Sequence, residues 1–265
     1  MTAGPQVPDA ELARLRAWLK DSIRDQVEFS QTDQSRGIAV PPVQKPAAAG
    51  APRVALVPWA ELRAAGIGQL PLIDAIVRRR SVRSFSDSPL TLHELSFLLY
   101  ATQGVRRATP GVVWRTVPSA GNRHALETYL YCRRVESIEE GIYRYLPLDH
   151  ELVRGPLPDP AVAHGPLADR ITHACRGQSF AGECAATFIW TTIPYRMEWR
   201  YAAAAYKVIA LDAGHVCQNL YLACQAIGAG TCAIAAYDQQ AMDALLGVDG
   251  VDEFTIYLAP VGKRQ

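Results

Sequence analysis

The sequence predicts a mixed fold of helices and strands packed around one long central helix. Three observations predict it. Residues 208–227 read as a helix that is apolar almost all round and therefore central. Residues 127–132, 142–145 and 186–193, rich in Tyr and β-branched types or continuously apolar, read as strands. Cap and turn residues separate these runs, so helices and strands alternate through the C-terminal three quarters of the chain.

Taken in order, Leu12, Leu15, Leu19, Ile23 and Val27 recur at helical spacing and predict an amphipathic helix over 10–28. Residues 30–52 are rich in Pro, Gly and Ala. Pro41, Pro42 and Pro46 exclude a helix there, so the segment reads as an extended arm. The boundary is expected near Leu70, giving a helix-plus-arm extension (1–69) and a core domain (70–265). Residues 72–80 predict a short helix ending in arginines. Thr91 and Glu94 have capping-box spacing and open a helix running to Ala101. Gly228 and Gly230 are expected to end the long helix, and 233–237 to form a strand. Asp238 caps a helix to Leu246, and 255–261 form a closing strand. No internal repeat is present, and no G-x-G-x-x-G follows a strand, so a Rossmann nucleotide site is not supported.

Composition excludes several classes. Of 265 residues, 49% are hydrophobic and 20% charged, an ordinary globular balance. A net charge of +1 supplies no field for nucleic acid or an anionic membrane. No apolar stretch is long enough to span a bilayer, and residues 1–10 lack the pattern of a secretory leader. The six cysteines, Cys132, Cys175, Cys184, Cys217, Cys224 and Cys232, form no C-x-x-C pair and no zinc spacing. They read as buried thiols of a cytoplasmic protein.

Three segments carry chemistry. Arg78, Arg79, Arg80 and Arg83 crowd four guanidinium groups into six residues around Ser81. Such a run is either a solvated basic face or a phosphate clamp, since arginine holds phosphate in a bidentate fork. Pro118, Ser119, Ala120, Gly121 and Asn122 are small or turn-forming. They make either an ordinary turn or a place where backbone approaches a flat ring closely. Asp212, His215, Gln218 and Asn219 are polar on an otherwise apolar helix. They need partners, from the core, a cofactor or a second subunit. With one nearby carboxylate and no second histidine at ligand spacing, they do not read as a metal site.

Together the segments resemble a known family. Arg79, Arg80, Ser81, Val82, Arg83, Ser84 and Phe85 resemble the opening motif of the nitroreductase superfamily. Residues 78–104, the Pro118–Gly121 string, Gly141-Ile142-Tyr143-Arg144-Tyr145 and residues 211–223 resemble its SagB-type branch, which includes thiazoline and oxazoline dehydrogenases. The resemblance implies an α+β, nitroreductase-like FMN fold: a central, mostly antiparallel sheet flanked by helices, in a homodimer with FMN at the interface. By motif position, Arg79, Arg80, Ser81 and Arg83 would hold the FMN phosphate and ribityl chain. Pro118, Ser119, Ala120, Gly121 and Asn122 would lie near the flavin. Ala233, Ile234, Ala235 and Ala236 would cross the ring and offer backbone N–H groups to it, and Lys263 and Arg264 would add a phosphate contact.

The same branch commonly places a Lys-Tyr pair ahead of the central helix. Here Arg200 stands in the lysine position and Tyr201 in the tyrosine position. Arginine stays protonated and makes a poor base. Tyr201, helped by the positive charge of Arg200, is then the candidate proton acceptor, with Lys207 as a second. The implied activity is FMN-dependent oxidation of an azoline or peptide-like substrate. The alternatives are a general NAD(P)H-dependent nitro- or quinone-reductase, and a non-catalytic flavin-binding subunit that docks other biosynthetic proteins. The arm is expected to wrap the dimer partner.

Overall fold

The computed structural model describes residues 8–155 and 165–265. Residues 1–7, over which no leader is expected, and 156–164 lie outside the described residues. The elements in chain order are α1 (Asp9–Ala17), β1 (Arg53–Ala55), α2 (Trp59–Ala64), α3 (Leu72–Arg78), α4 (Leu92–Gln103), β2 (Val105–Thr109), β3 (Val112–Arg115), β4 (Leu126–Cys132), β5 (Gly141–Leu146), β6 (Glu151–Arg154), α5 (Leu167–Ala174), α6 (Phe180–Glu183), β7 (Ala186–Thr192), α7 (Tyr195–Tyr201), α8 (Ala205–Ala226), β8 (Ala229–Thr231), α9 (Gln239–Leu246) and β9 (Phe254–Lys263).

Seven strands form one sheet in the order β1-β6-β5-β4-β7-β9-β8, and every pairing is antiparallel. This is the α+β fold the resemblance implies. β4 and β7 are buried along their whole length because helices cover both faces of the sheet. Their side chains alternate between two cores. Leu126, Leu130, Phe188 and Trp190 pack with Leu95 and Leu98 of α4 and Val216 and Leu220 of α8. Tyr129, Tyr131 and Ile189 pack with Ile171 of α5 and Met242 and Leu245 of α9. The capping box forms as predicted: Thr91 Oγ1 accepts from the Glu94 N–H at 3.1 Å, and Glu94 accepts from the Thr91 N–H at 3.0 Å. Asp238 caps α9 through the Ala241 N–H. All six cysteines are buried free thiols. Among the described residues no helix is long and apolar enough to cross a membrane, and no His/Cys/Asp/Glu cluster could hold a metal.

Three expectations are corrected. The helix over 10–28 ends at Ala17 and resumes as a 3-10 turn over 21–26, with Leu15, Trp18 and Leu19 exposed. Residues 9–17 bury no side chain, so packing does nothing to carry the helix on past Ala17. α8 is not buried all round: Leu211 is 53% exposed, and Gly214, His215 and Gln218 lie on the same open face. Residues 233–237 form no strand beyond a single bridge between Ile234 and Leu258. The strand sits at β8 instead, where Gly230 lies in it rather than only following the helix. The arm also makes contacts within its own protomer. Arg144 donates to the carbonyls of Lys45 and Pro46, and Arg115 donates to the Val43 carbonyl. The Lys45 N–H donates to Glu127, and β1 then pairs with β6 at the sheet edge. Buried arginines need acceptors, and the backbone of the Pro-rich segment, which cannot pair with itself as helix, supplies them.

Candidate active site

The arginine run leaves α3 in extended form and lies along the sheet edge. The Val82 N–H donates to the Thr231 carbonyl at 2.9 Å, and the Ser86 N–H to the Lys263 carbonyl at 2.9 Å. Two glycines make this approach possible. A Cβ on Gly230 would sit 2.7 Å from Val82 Cβ, and one on Gly262 would sit 2.8 Å from Phe85. The result is a cleft of about 270 Å³ lined by Arg80, Ser81, Val82, Arg83 and Arg264. Arg80 and Arg83 are exposed, whereas Arg78 is occupied by Asp74 at 3.4 Å. Arg79 lies 5.3 Å over the ring of Tyr221, whose hydroxyl is 3.0 Å from Ser81 Oγ and accepts from the Ala233 N–H at 2.9 Å. Tyr221 therefore joins the clamp to the 233–236 segment, a role that local sequence patterns do not announce. Its signal is a phenol within the apolar stretch 220–224, which needs partners when packed.

At the C-terminus, Arg264 donates to the Ala229 carbonyl and to Gln225. The Lys263 ammonium is held by Glu94 and the Ile227 carbonyl. In the 233–236 segment, the Ala233 N–H is taken by Tyr221 and the Ile234 N–H by Leu258. Those of Ala235 and Ala236 meet no acceptor among the described residues, and both residues are exposed.

The second cluster is the loop after β3. Ser119 Oγ accepts from the His124 N–H at 2.9 Å, and the Asn122 N–H donates to the Ser119 carbonyl. Gly121, Asn122 and His124 adopt left-handed backbone at φ 54°, 58° and 50°. Such density of unusual backbone is kept only where surrounding contacts impose it. Those contacts are visible. His124 Nε2 meets Asn122 Oδ1 at 2.7 Å and the Val113 carbonyl at 2.9 Å. Burial, with Arg115 nearby, pushes the His124 pKa down to about 3, so the ring is neutral. Asp212 of α8 accepts from the Ala120 N–H at 3.2 Å, and burial raises its pKa.

The structure brings Arg200 and Tyr201 onto this loop. A Cβ on Gly121 would lie 2.5 Å from the Tyr201 hydroxyl and 2.7 Å from Arg200 Cδ. Arg200 Cζ is 5.5 Å from the Tyr201 ring, and Nη1 donates to Gln34 of the arm at 3.1 Å. Arg123, the next residue but one after Gly121, stacks over Trp199 at 5.2 Å. Pro118 is exposed at the loop's start, and Lys207 lies half-buried in the first turn of α8. Asp212 and Tyr221 put the two clusters at different levels of α8, roughly 14 Å apart at 1.5 Å per residue.

The chain matches the family model "Nitroreductase family" over residues 76–263. It is 34% identical to a Methanocaldococcus jannaschii protein that carries a nitroreductase name, MJ1384, over 77% of this chain and 96% of that one. Among solved structures, one from Ralstonia eutropha that carries a nitroreductase name aligns with TM-score 0.62 and 22% identity, covering 84% of this chain and 94% of that one. The E. coli microcin synthetase McbBCD complex, with truncated pro-MccB17 bound, aligns with TM-score 0.56 and 18% identity, covering 98% of both chains. The chain belongs to the nitroreductase family and is an FMN-dependent oxidoreductase.

Proposed function

We propose that the protein is a SagB-type dehydrogenase that oxidises an azoline or related peptide-like substrate, working as a homodimer with FMN at the subunit interface. The observation that carries this reading is the packing of Arg200 and Tyr201 against Gly121. It puts the pair that matches the branch's proton-handling position onto the loop that matches its flavin-contacting position. The fold likeness to the microcin synthetase complex, in which a peptide precursor is bound, agrees with a peptide-like substrate. The open apolar face of α3, where Leu72, Ile73, Ile76 and Val77 are 53–74% exposed, adjoins α8 and suits a dimer contact. The exposed Leu15 and Leu19 of the N-terminal segment suit contact with other biosynthetic proteins.

The residues present fit the cofactor: the cleft opens two exposed guanidinium groups, and two unpaired N–H groups lie beyond Tyr221. FMN, when bound, supplies the hydride acceptor. Arg80, Ser81, Arg83 and Arg264 hold its phosphate, Arg79 braces Tyr221, and Ala235 and Ala236 present their N–H groups to the ring. Ser119 and Asn122, set by His124 and Asp212, border the ring of the partner's site. Tyr201, in its phenolate form, would take the proton released as the substrate carbon gives its hydride to the flavin, with the positive charge of Arg200 beside it.

Two measurements test this. Arg80→Ala and Arg83→Ala should each weaken FMN about 10- to 100-fold in a flavin titration, since a hydrogen bond to a charged group contributes about 1.5–3 kcal/mol. Unchanged affinity in both would remove the clamp from the cofactor site. Tyr201→Phe should lower aerobic turnover of a thiazoline peptide by about 10²–10⁴-fold with FMN content unchanged. NADPH-driven quinone or nitroarene reduction that outpaces thiazoline oxidation would identify a general reductase. A Tyr201→Phe variant that behaves like the parent would instead identify a non-catalytic flavoprotein.

A further inference from the structure

The charges beside the candidate flavin loop do not balance. Arg123 is buried with Arg200 close by, and no carboxylate of the described residues lies at ion-pair distance from it. Its Nε donates to the Gly121 carbonyl at 3.2 Å and its Nη2 to the Gly111 carbonyl at 3.3 Å. Those neutral acceptors take two of its five N–H donors and, with the Trp199 face, supply no formal counter-charge. Arg200 likewise has no carboxylate at ion-pair distance among the described residues. Its one described hydrogen bond is to the neutral Gln34. Elsewhere buried arginines find either a carboxylate or neutral acceptors: Arg144 and Arg196 share Glu127 at 3.1 and 2.6 Å, whereas Arg115 is held by Gln103 and the Val43 carbonyl. Two adjacent guanidinium groups without a counterion repel each other, and the arrangement is relieved when an anion arrives.

The arm makes this arrangement rigid. The Gln34 N–H donates to the Trp199 carbonyl at 2.9 Å, Trp199 Nε1 donates to the Ile38 carbonyl at 3.0 Å, and the Tyr195 hydroxyl donates to Asp33 at 2.8 Å. Residues 33–38 are thus fastened along α7, and the Gln34 side chain fixes one edge of the Arg200 fork. Arg123 has given Nε and Nη2 to backbone carbonyls, and the planar fork of Arg200, half-buried beside the loop, can meet a carboxylate with two parallel hydrogen bonds.

We propose that Arg200, backed by Arg123 and aimed by Gln34, is a carboxylate-recognition subsite beside the flavin, so that the enzyme selects substrates carrying a carboxylate, as a free acid or an acidic side chain. This rests on the placement of the flavin near residues 119–122 given above. Arg200 is a specificity residue and Gln34 a positioning residue. The role explains why the branch's lysine position can hold an arginine here: the demand is for a permanent, forked cation rather than a base.

The test uses the full-length FMN-loaded protein and two probes of the same shape, benzoate and benzamide, titrated by flavin difference spectra. Benzoate should bind about tenfold or more tightly than benzamide, and the preference should shrink as salt is added. Arg200→Gln should remove the preference, and Arg200→Lys should keep part of it. Gln34→Ala should weaken benzoate about two- to fivefold and benzamide hardly at all, a split that a merely structural role for the arm would not produce. Equal binding of the two probes, no benzoate binding, or a preference that survives Arg200→Gln overturns the proposal. If the protein takes up no FMN, it is the cofactor placement that fails. Calorimetric titration of the same two probes then tests the subsite on its own, with the same outcomes deciding.

Discussion

Gly121→Ala is expected to lower kcat/KM for a thiazoline peptide by about a hundredfold, because an ångström-scale misplacement of reacting groups costs that much. The added methyl would sit 2.5 Å from the Tyr201 hydroxyl and 2.7 Å from Arg200 Cδ, so both side chains must withdraw. The residue also holds φ 54°, where a side chain costs about 1–2 kcal/mol. Steady-state kinetics and a flavin titration, run together, separate the two effects. The cost of strain appears in stability, and displacement of the pair appears in kcat. In the double variant Gly121→Ala/Tyr201→Phe the losses should fail to add, since both remove the same contact. Full additivity would show that Gly121 acts through something other than Tyr201.

Glu127→Ala is expected to be the most destabilising single change, by about 3–5 kcal/mol, because it strips the counterion from two buried arginines. Glu127 accepts from Arg196 at 2.6 Å, Arg144 at 3.1 Å and the Lys45 N–H at 2.9 Å, so its loss frees sheet, α7 and arm together. In a chain of this size that means a thermal midpoint lower by about 10 °C, read by calorimetry. Acid should reproduce part of the effect. Burial alone would raise the Glu127 pKa, but Arg196 and Arg144 more than offset it, and the net shift is downward from the ordinary value of 4.5. Its contribution is therefore complete above 4.5 and lost as pH falls through the lower folded value. His124, held near 3 against an ordinary 6.5, acts in the same direction over a wider window. The unfolded chain takes up a proton below 6.5 that the folded chain refuses until near 3. Urea midpoints should fall steadily from about pH 7 downward. A flat profile between about pH 7 and 5 would show that His124 is not held neutral.

Much of the molecule was readable from short stretches of chain. Thr91 with Glu94, and Asp238 with Ala241, are helix starts encoded within four residues, and both form. The central strands are runs buried on both faces, so they stand out by composition alone. The hairpin β2–β3 was not read from the sequence: Pro110 and Gly111 mark its turn, but Arg106, Arg107 and Ala108 carry no strand signal. The arginine run carries its own chemical signature, whereas the 118–122 loop and the Arg200-Tyr201 pair were singled out through the family resemblance.

What the sequence determined by itself, then, is where the capped helices begin, which runs make the central strands, and which residue types are available for chemistry, because those depend on neighbours a few residues away. Tertiary structure alone decided that Gly121 meets Tyr201 across 80 positions, that Gln34 reaches Arg200 across 166, and that Tyr221 ties Ser81 to Ala233. It also decided that one face of α8 stays open. Those facts follow from the order of strands in the sheet and the layer each helix occupies, and no periodicity within a segment encodes what packs against it from a hundred residues away.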